Sequence, residues 1–230
     1  MRQAVILAGG KATRMRPYTD DRPKAMVEVA GAPILEHQLR WLATSDVGFV
    51  VLSVGYRAEV IRAHVGDGSG FGLEVSYAVE DEPLGRGGGL KFAAQRLPFP
   101  DEGWLGMNGD VLSRFAMADL AGQHHRLNAT ATIALAPYRS NWGLAELEGD
   151  LVRGFVQSPR LPYWINAGIY AMSPEVVELL PDKGDHEDTT FPSLALAGKL
   201  GAFKIEGYWR GIDTVKDVQE ASAELLSGGV

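Results

Sequence analysis

The chain opens with an apolar run, residues 4–7 (AVIL), that stops abruptly at Gly9-Gly10. This is the profile of a buried first strand running into a loop of bare backbone. Residues 26–29 read as a short extended piece, and Gly31-Ala32-Pro33 as a turn with Pro33 at a helix start. Apolar residues at 34/35, 39 and 42/43 then recur at helical spacing. Residues 48–54 (GFVVLSV) have the continuous apolar character of a central parallel strand. A helix over 58–65 follows, and the turn-rich 66–72 leads into an alternating strand at 73–78. The glycines Gly87, Gly88 and Gly89 introduce a helix through Gln95, and a fourth apolar strand, 104–107, ends in Asn108-Gly109-Asp110. Strands and helices alternating in this order predict an α/β fold with a doubly wound, mostly parallel sheet, whose ligand sites lie beyond the carboxyl ends of the strands.

The second half changes character. A helix over 116–127 carries His124-His125, a pair without further ligands at metal spacing, expected at the surface and given no role. Residues 128–135 read as a Thr/Ala strand. Residues 143–147 and 151–156, separated by Glu148-Gly149-Asp150, predict a hairpin, so the pattern has become antiparallel. The strand 164–172 (WINAGIYAM) holds polar Asn166 and Gly168 inside an otherwise apolar run, which points to a ligand or another backbone passing close by. Short helices at 174–180 and 191–199 and an amphipathic helix ending at Leu226 complete the reading.

With 230 residues, 46% of them hydrophobic, the chain is long enough for one full domain over residues 1–230. Zero cysteines exclude disulfide frameworks and thiolate metal sites. No apolar run approaches a membrane span and the first residues do not resemble a signal peptide, so a soluble, cytoplasmic protein is expected. A net charge of −7 argues against nucleic-acid or anionic-membrane partners. The distribution is uneven: the first 24 residues hold six Lys/Arg against two Asp/Glu, the remainder 16 against 27. A positive loop in an acidic body suits a small polyanion. In the loop itself, glycine N–H groups can approach a polyphosphate closely, with Lys11, Arg14, Arg16, Arg22 and Lys24 supplying charge. Neither the P-loop pattern nor the dinucleotide G-x-G-x-x-G fingerprint occurs.

The run LAGGKATRMRP followed by Pro23-Lys24 resembles the G-x-G-T-R-(x)n-P-K signature of sugar-1-phosphate nucleotidylyltransferases, with Ala12 standing where that family has glycine. The resemblance continues through EPLGRGGGL, Asn108-Gly109-Asp110, NAGIY and GYWRGIDT. It implies a Rossmann-like fold of the nucleotide-diphospho-sugar transferase type, with a nucleotide-binding half (1–112) and an antiparallel sugar-phosphate-binding half (113–230). The substrates implied are an NTP and a sugar 1-phosphate, with Mg2+ as cofactor; a homo-oligomer is compatible with this reading.

Carried over residue by residue, the resemblance implies Arg14 and Lys24 as catalytic. It implies Leu7, Ala8, Gly9, Gly10, Lys11, Gly87 and Gly88 at the nucleotide, and Asp110 and Asp213 on the metal. Gly89, Asn108, Gln157, Arg160, Asn166 and Gly168 fall at the sugar phosphate. Nucleotidyl transfer needs no enzyme nucleophile, because the attacking phosphate oxygen is already anionic; fixed cations, a metal and backbone donors suffice. Where relatives carry Glu-Lys-Pro this chain has Gln157-Ser158-Pro159, so Arg160, or Arg139 in the 138–142 loop, is the expected substitute cation. The small guanylyltransferases for mannose or manno-heptose 1-phosphate are most similar, with uridylyl, cytidylyl and thymidylyl relatives close behind. A non-catalytic regulatory paralogue and an alcohol-phosphate nucleotidyltransferase remain open.

Overall fold

The computed structural model describes residues 1–11, 13–140 and 142–228, apart from the side chain of Arg14. Ala12, the position that departs from the loop signature, lies outside the described residues. The first half runs β1 (Gln3–Leu7), two single 3-10 turns (Thr13–Met15 and Lys24–Met26), β2 (Glu28–Val29), β3 (Ala32–Pro33), α1 (Ile34–Ala43), β4 (Phe49–Val54) and α2 (Ala58–Val65). After a further 3-10 turn come β5 (Glu74–Val79), α3 (Gly85–Ala94), β6 (Trp104–Asn108) and β7 (Val111–Arg114). The second half runs α4 (Met117–Leu127), β8 (Ala131–Arg139), β9 (Leu144–Glu148), β10 (Leu151–Val156) and β11 (Arg160–Met172). It ends with α5 (Val176–Leu179), α6 (Thr190–Leu196), β12 (Leu200–Lys204), β13 (Tyr208–Gly211) and α7 (Val215–Leu226).

One seven-stranded sheet, in the order β12-β8-β11-β6-β1-β4-β5, runs through both halves. The pairs β1/β4, β1/β6, β4/β5 and β8/β12 are parallel, while β11 pairs antiparallel with both β6 and β8. The continuous apolar runs of β1 and β4 follow from cover on both faces. On one face Leu35, Leu39 and Leu42 of α1, Ile61 and Val65 of α2 and Leu120 of α4 close a large core. On the other, Leu90 and Ala93 of α3 pack with Trp104, Tyr170 and Phe191. A third cluster, built on Met15, Ile34, Ile212, Val218 and Ala221, fastens α7 near the first loop.

Several expectations are corrected. His124 is buried, its ring nitrogens 3.0 Å from the hydroxyls of Thr132 and Ser173, so it is a core residue and not a surface one. Asn128 adopts left-handed backbone as the cap of α4, which delays the strand expected from 128 until Ala131 and carries it to Arg139. Arg139 therefore belongs to β8 and not to a loop. The short strands β7, β12 and β13 were not visible as patterns.

Candidate active site

Because β11 runs antiparallel to β6, with Ile169 opposite Met107, its amino-terminal part overhangs the carboxyl end of β6. At the carboxyl ends of β1 and β6, Leu7, Gly9, Gly10, Lys24, Asn108 and Asp110 border a cavity of about 300 Å3, together with Ala8, Glu80 and Arg86. A crevice at this end of an open α/β sheet is the usual ligand position. Its two loops are packed tightly. Gly109 donates its N–H to Leu7 O at 2.9 Å, and a Cβ at 109 would collide with that same oxygen. The Gly9-Gly10 loop is tied to the Pro23-Lys24 step through Lys24 N–H and Gly10 O at 3.2 Å.

Three charges converge beside the loop. Lys24 Nζ lies 2.7 Å from Asp110 Oδ2 and 2.7 Å from Asp213 Oδ1. The backbone explains how residues 103 positions apart in sequence meet. β7 and β13 pair with Val111 opposite Gly211, and Ile212 N–H continues the ladder to Asp110 O at 2.9 Å, so Asp110 and the following Asp213 lie together at the end of this ladder. Asp217 then fixes the Asp213 turn: its Oδ2 accepts from the N–H groups of Asp213 and Thr214 and from the Thr214 hydroxyl, a capping box at the start of α7. Burial works to lower the pKa of Lys24, but attraction to Asp110 and hydrogen bonds with both acids outweigh it and hold the ammonium above its ordinary range. Gln38, buried on α1, pins the Asn108 turn by donating to Asn108 O and Val111 O, both at 2.8 Å.

Two hard carboxylate oxygens within reach of one cation form a donor set that suits Mg2+, which prefers one or two protein carboxylates plus phosphate oxygens. A second grouping of metal-ligand types, Asp185, His186 and Glu187, has its donor atoms within 4.8 Å of one another. Arg86 already pairs with both acids of that group and argues against a cation there.

The glycine run packs against a distant part of the same chain. Gly87 and Gly88 are buried in the first turns of α3, and both N–H groups point to Gly184 O. A Cβ at 87 would meet His186 N and Pro181, and one at 88 would meet Asp182 O. Their bareness admits the 181–186 loop of the same chain. Gly89 makes room for Glu80, whose Oε1 would sit 2.9 Å from a Cβ there. Glu80 is a cavity residue that sequence reading missed. Its carboxylate is fixed by Ser53 Oγ at 2.6 Å and Leu84 N–H at 3.0 Å, and within the run Glu80-Asp81-Glu82 no pattern singles this acid out.

On the overhang, Gly168 has φ +70 and leaves space for the amide of Asn108, whose Nδ2 would lie 2.7 Å from a Cβ at 168. Asn166 accepts from Gly168 N–H at 2.8 Å and donates to the buried Tyr170 hydroxyl at 3.1 Å. Gln157 and Arg160 stand farther out. Arg160 lies opposite Arg139 on β8, 5.5 Å above the Trp164 ring, and Lys204 approaches the same ring at 4.9 Å. Lys11 is exposed, 5.8 Å from the ring of Tyr56. Arg14 belongs to the first 3-10 turn, and its side chain lies outside the described residues.

The family model described as nucleotidyl transferase matches residues 3–228. The chain belongs to that family. Over 98% of its length it is 35% identical to a mannose-1-phosphate guanylyltransferase of Mycobacterium tuberculosis, covering 65% of that protein. It is 36% identical to the mannose-1-phosphate guanyltransferase of Yarrowia lipolytica, covering 64%. This nucleotidyl transferase chain thus spans just under two-thirds of the length of these curated relatives. Among solved structures, HddC from Yersinia pseudotuberculosis superposes with a TM-score of 0.78 at 26% identity, covering 98% of this chain and 100% of that one. A putative glucose-1-phosphate thymidylyltransferase from Bacillus anthracis gives 0.78 at 19% identity over 97% and 94%, a likeness of fold. No helix among the described residues is long and apolar enough to cross a membrane.

Proposed function

We propose that this chain transfers a guanylyl group from GTP to mannose 1-phosphate or manno-heptose 1-phosphate, releasing pyrophosphate and depending on Mg2+. The observation that carries the reading is the convergence of Asp110, Asp213 and Lys24 beside the Gly9-Gly10 loop, at the mouth of the cavity. An oxygen of the sugar 1-phosphate attacks the α-phosphorus, and the bond to the β-phosphate oxygen breaks with its electron pair leaving on pyrophosphate. No side chain has to give or take a proton. The chain's task is to hold two polyanions together and meet the charge that builds on the leaving group.

Backbone N–H groups of Gly9 and Gly10, with Lys11, cradle the triphosphate. Arg14 stabilises the departing pyrophosphate, and Lys24 neutralises phosphate oxygens near the reacting centre. Asp110 and Asp213 would hold Mg2+, whose charge polarises the phosphate under attack when it is bound. Asn166 and Asn108 orient sugar hydroxyls, and Arg160, backed by Arg139, meets the sugar phosphate in place of the family's lysine.

Guanine is favoured by the names of the relatives and by the neighbouring HddC, which was also solved complexed with GMP-PN. Glu80 supports the same choice. A carboxylate held by Ser53 and Leu84 at the cavity wall is an acceptor pair suited to the adjacent N1–H and N2–H donors that guanine has and adenine lacks. Screening the four NTPs against a panel of sugar 1-phosphates tests the reading, with GTP and a manno-configured sugar as the expected optimum. Equal or higher turnover with UTP, CTP or dTTP would overturn the base choice while leaving the reaction class in place.

A further inference from the structure

Charge is spread unevenly around the cavity. Where the Gly9-Gly10 loop borders it, Lys24 and the neighbouring Lys11 are cations. Where Arg86 borders it the chain is acidic: residues 80–86 and 181–188, joined by hydrogen bonds at the start of α3, hold seven acids against Arg86 and Lys183. Part of this charge is neutralised. Lys183 pairs with Glu82 at 2.8 Å, and Lys91 with Asp182 at 2.7 Å. Arg86 has two acids to satisfy. Its Nε donates to Asp185 and its Nη1 to Glu187, both at 2.6 Å, so the trio keeps one negative charge in excess. His186 adds no cation, because burial pushes its pKa down to about 4 and leaves the ring neutral.

Glu187 carries this excess toward the residues assigned to the sugar. The Asn166 amide, which donates to the Tyr170 hydroxyl, also hydrogen-bonds the Glu187 carboxylate. Beside Asn166, Gly168 leaves room for Asn108, which borders the cavity as Arg86 does. Glu187 thus links two borders of the cavity, and its side chain is 30% exposed. Burial first, then Asp185 and Asp188, push its pKa up against the pull of Arg86 and Asn166. A carboxylate in that balance must either repel a further negative charge brought beside it or take up a proton, and each has a cost. It accepts hydrogen bonds from hydroxyl groups and repels an oxyanion, so it discriminates by charge. On the reading of this cavity as a sugar 1-phosphate site, we propose that Arg86, Asp185 and Glu187 form a charge filter on its sugar side. The filter admits sugar 1-phosphates whose ring carries only hydroxyl groups and turns away those with a second phosphate or a carboxylate. Selectivity of this kind comes from an unfavourable contact built against the wrong substrate.

The test compares kcat/KM for mannose 1-phosphate with that for mannose 1,6-bisphosphate and for mannuronate 1-phosphate, with GTP and saturating Mg2+. Any general loss of activity in a variant cancels in these ratios. The wild type should favour mannose 1-phosphate over both competitors by about 10-fold or more, the effect of one excess charge in a partly exposed site. Glu187→Gln keeps the shape of the side chain and removes the excess charge, so it should abolish most of that preference. Arg86→Gln removes the cation and should widen it. A loosened 181–188 loop would not shift the ratios in opposite directions. Added KCl should narrow the wild-type preference, since partly exposed charges are screened. Equal use of the three sugars by the wild type, ratios unmoved by Glu187→Gln, or shifts of the same sign in both variants would overturn the charge filter and leave the nucleotidyl transfer reading standing. Failure of the wild type to turn over any sugar 1-phosphate with any NTP would overturn that reading, and the filter with it.

Discussion

The Asp217 carboxylate accepts the backbone N–H of Asp213 at 3.1 Å, so the cap of α7 also orients an acid of the candidate metal pair. Asp217 thus positions Asp213 rather than competing with it. Asp217→Ala is expected to cost about 1 kcal/mol of stability, the usual worth of a cap. It should also raise the Mg2+ concentration for half-maximal turnover several-fold, with the KM for GTP at saturating Mg2+ little changed. Asp217→Asn, which keeps an acceptor, should restore most of the Mg2+ response. A loss of stability with an unaltered Mg2+ titration would leave Asp217 as a cap alone.

Asp110→Asn and Asp213→Asn should each abolish Mg2+-dependent turnover, because an amide is a much poorer ligand for a hard cation than a carboxylate. Both variants should still fold, since the β7/β13 ladder that brings the two residues together is made by backbone groups. Normal Mg2+ dependence in Asp213→Asn would move the metal to other ligands.

Arg14→Ala should leave the melting temperature unchanged and lower kcat by about 10²-fold or more, as expected when a donor to developing charge is removed at a cost of roughly 2.7–4 kcal/mol. Turnover like that of the wild type would remove Arg14 from the leaving-group role.

Arg160 and Arg139 face one another across β11 and β8 with no ion-pair partner among the described residues, an arrangement of like charges that an anion would relieve. Arg160→Ala is expected to raise the KM for the sugar 1-phosphate by about 10- to 150-fold, the worth of a charge-assisted hydrogen bond of about 1.5–3 kcal/mol, while the KM for GTP hardly moves. Ser158→Lys in the Arg160→Ala background should recover part of the loss. An unchanged sugar-phosphate KM in both Arg160→Ala and Arg139→Ala would exclude this pair from the site.

Burial pushes the pKa of His186 down to about 4, and that of His124 likewise to about 4. Both are neutral in the folded chain, whereas the unfolded chain takes up their protons near pH 6.5. Between these values the unfolded state binds more protons, so stability should fall as pH drops from about 6.5 to about 4 and this contribution should level off below. His186→Phe, which keeps a ring between Tyr170 and Phe191, should flatten the Tm-against-pH curve in that window. A curve as steep as that of the wild type would assign the loss to other groups.

The elements legible in the sequence were those whose neighbours cover them evenly. The unbroken apolar runs of β1, β4 and β6 and the helical spacing of α1 and α2 depend on one sheet face or one helix stripe, and a local pattern reports that. β7, β12 and β13 are four or five residues long and lie at edges or pair only with each other, so little alternation is imposed on them. At the candidate site, the residue types of the glycine loop, Lys24 and the two acids suggested the proposed chemistry, and the structure brings Lys24, Asp110 and Asp213 together. The packing of Gly87 and Gly88 was not legible because the 181–186 loop that fills the space beside them comes from almost 100 residues away. Glu80 and Gln38 were missed for the same reason: their partners, Ser53, Leu84 and the Asn108 turn, are set by tertiary packing.

The most direct test of the central claim is phosphorus NMR of the purified chain with GTP, mannose 1-phosphate and Mg2+, followed in parallel with manno-heptose 1-phosphate. Pyrophosphate and a new diphosphate-linked sugar nucleotide should appear in equal amounts with one of these sugars, and neither should form after chelation of the metal or in Asp110→Asn. Absence of pyrophosphate release with every NTP and sugar 1-phosphate tried, in a folded chain that still binds sugar nucleotide, would contradict the account and leave a binding protein in its place.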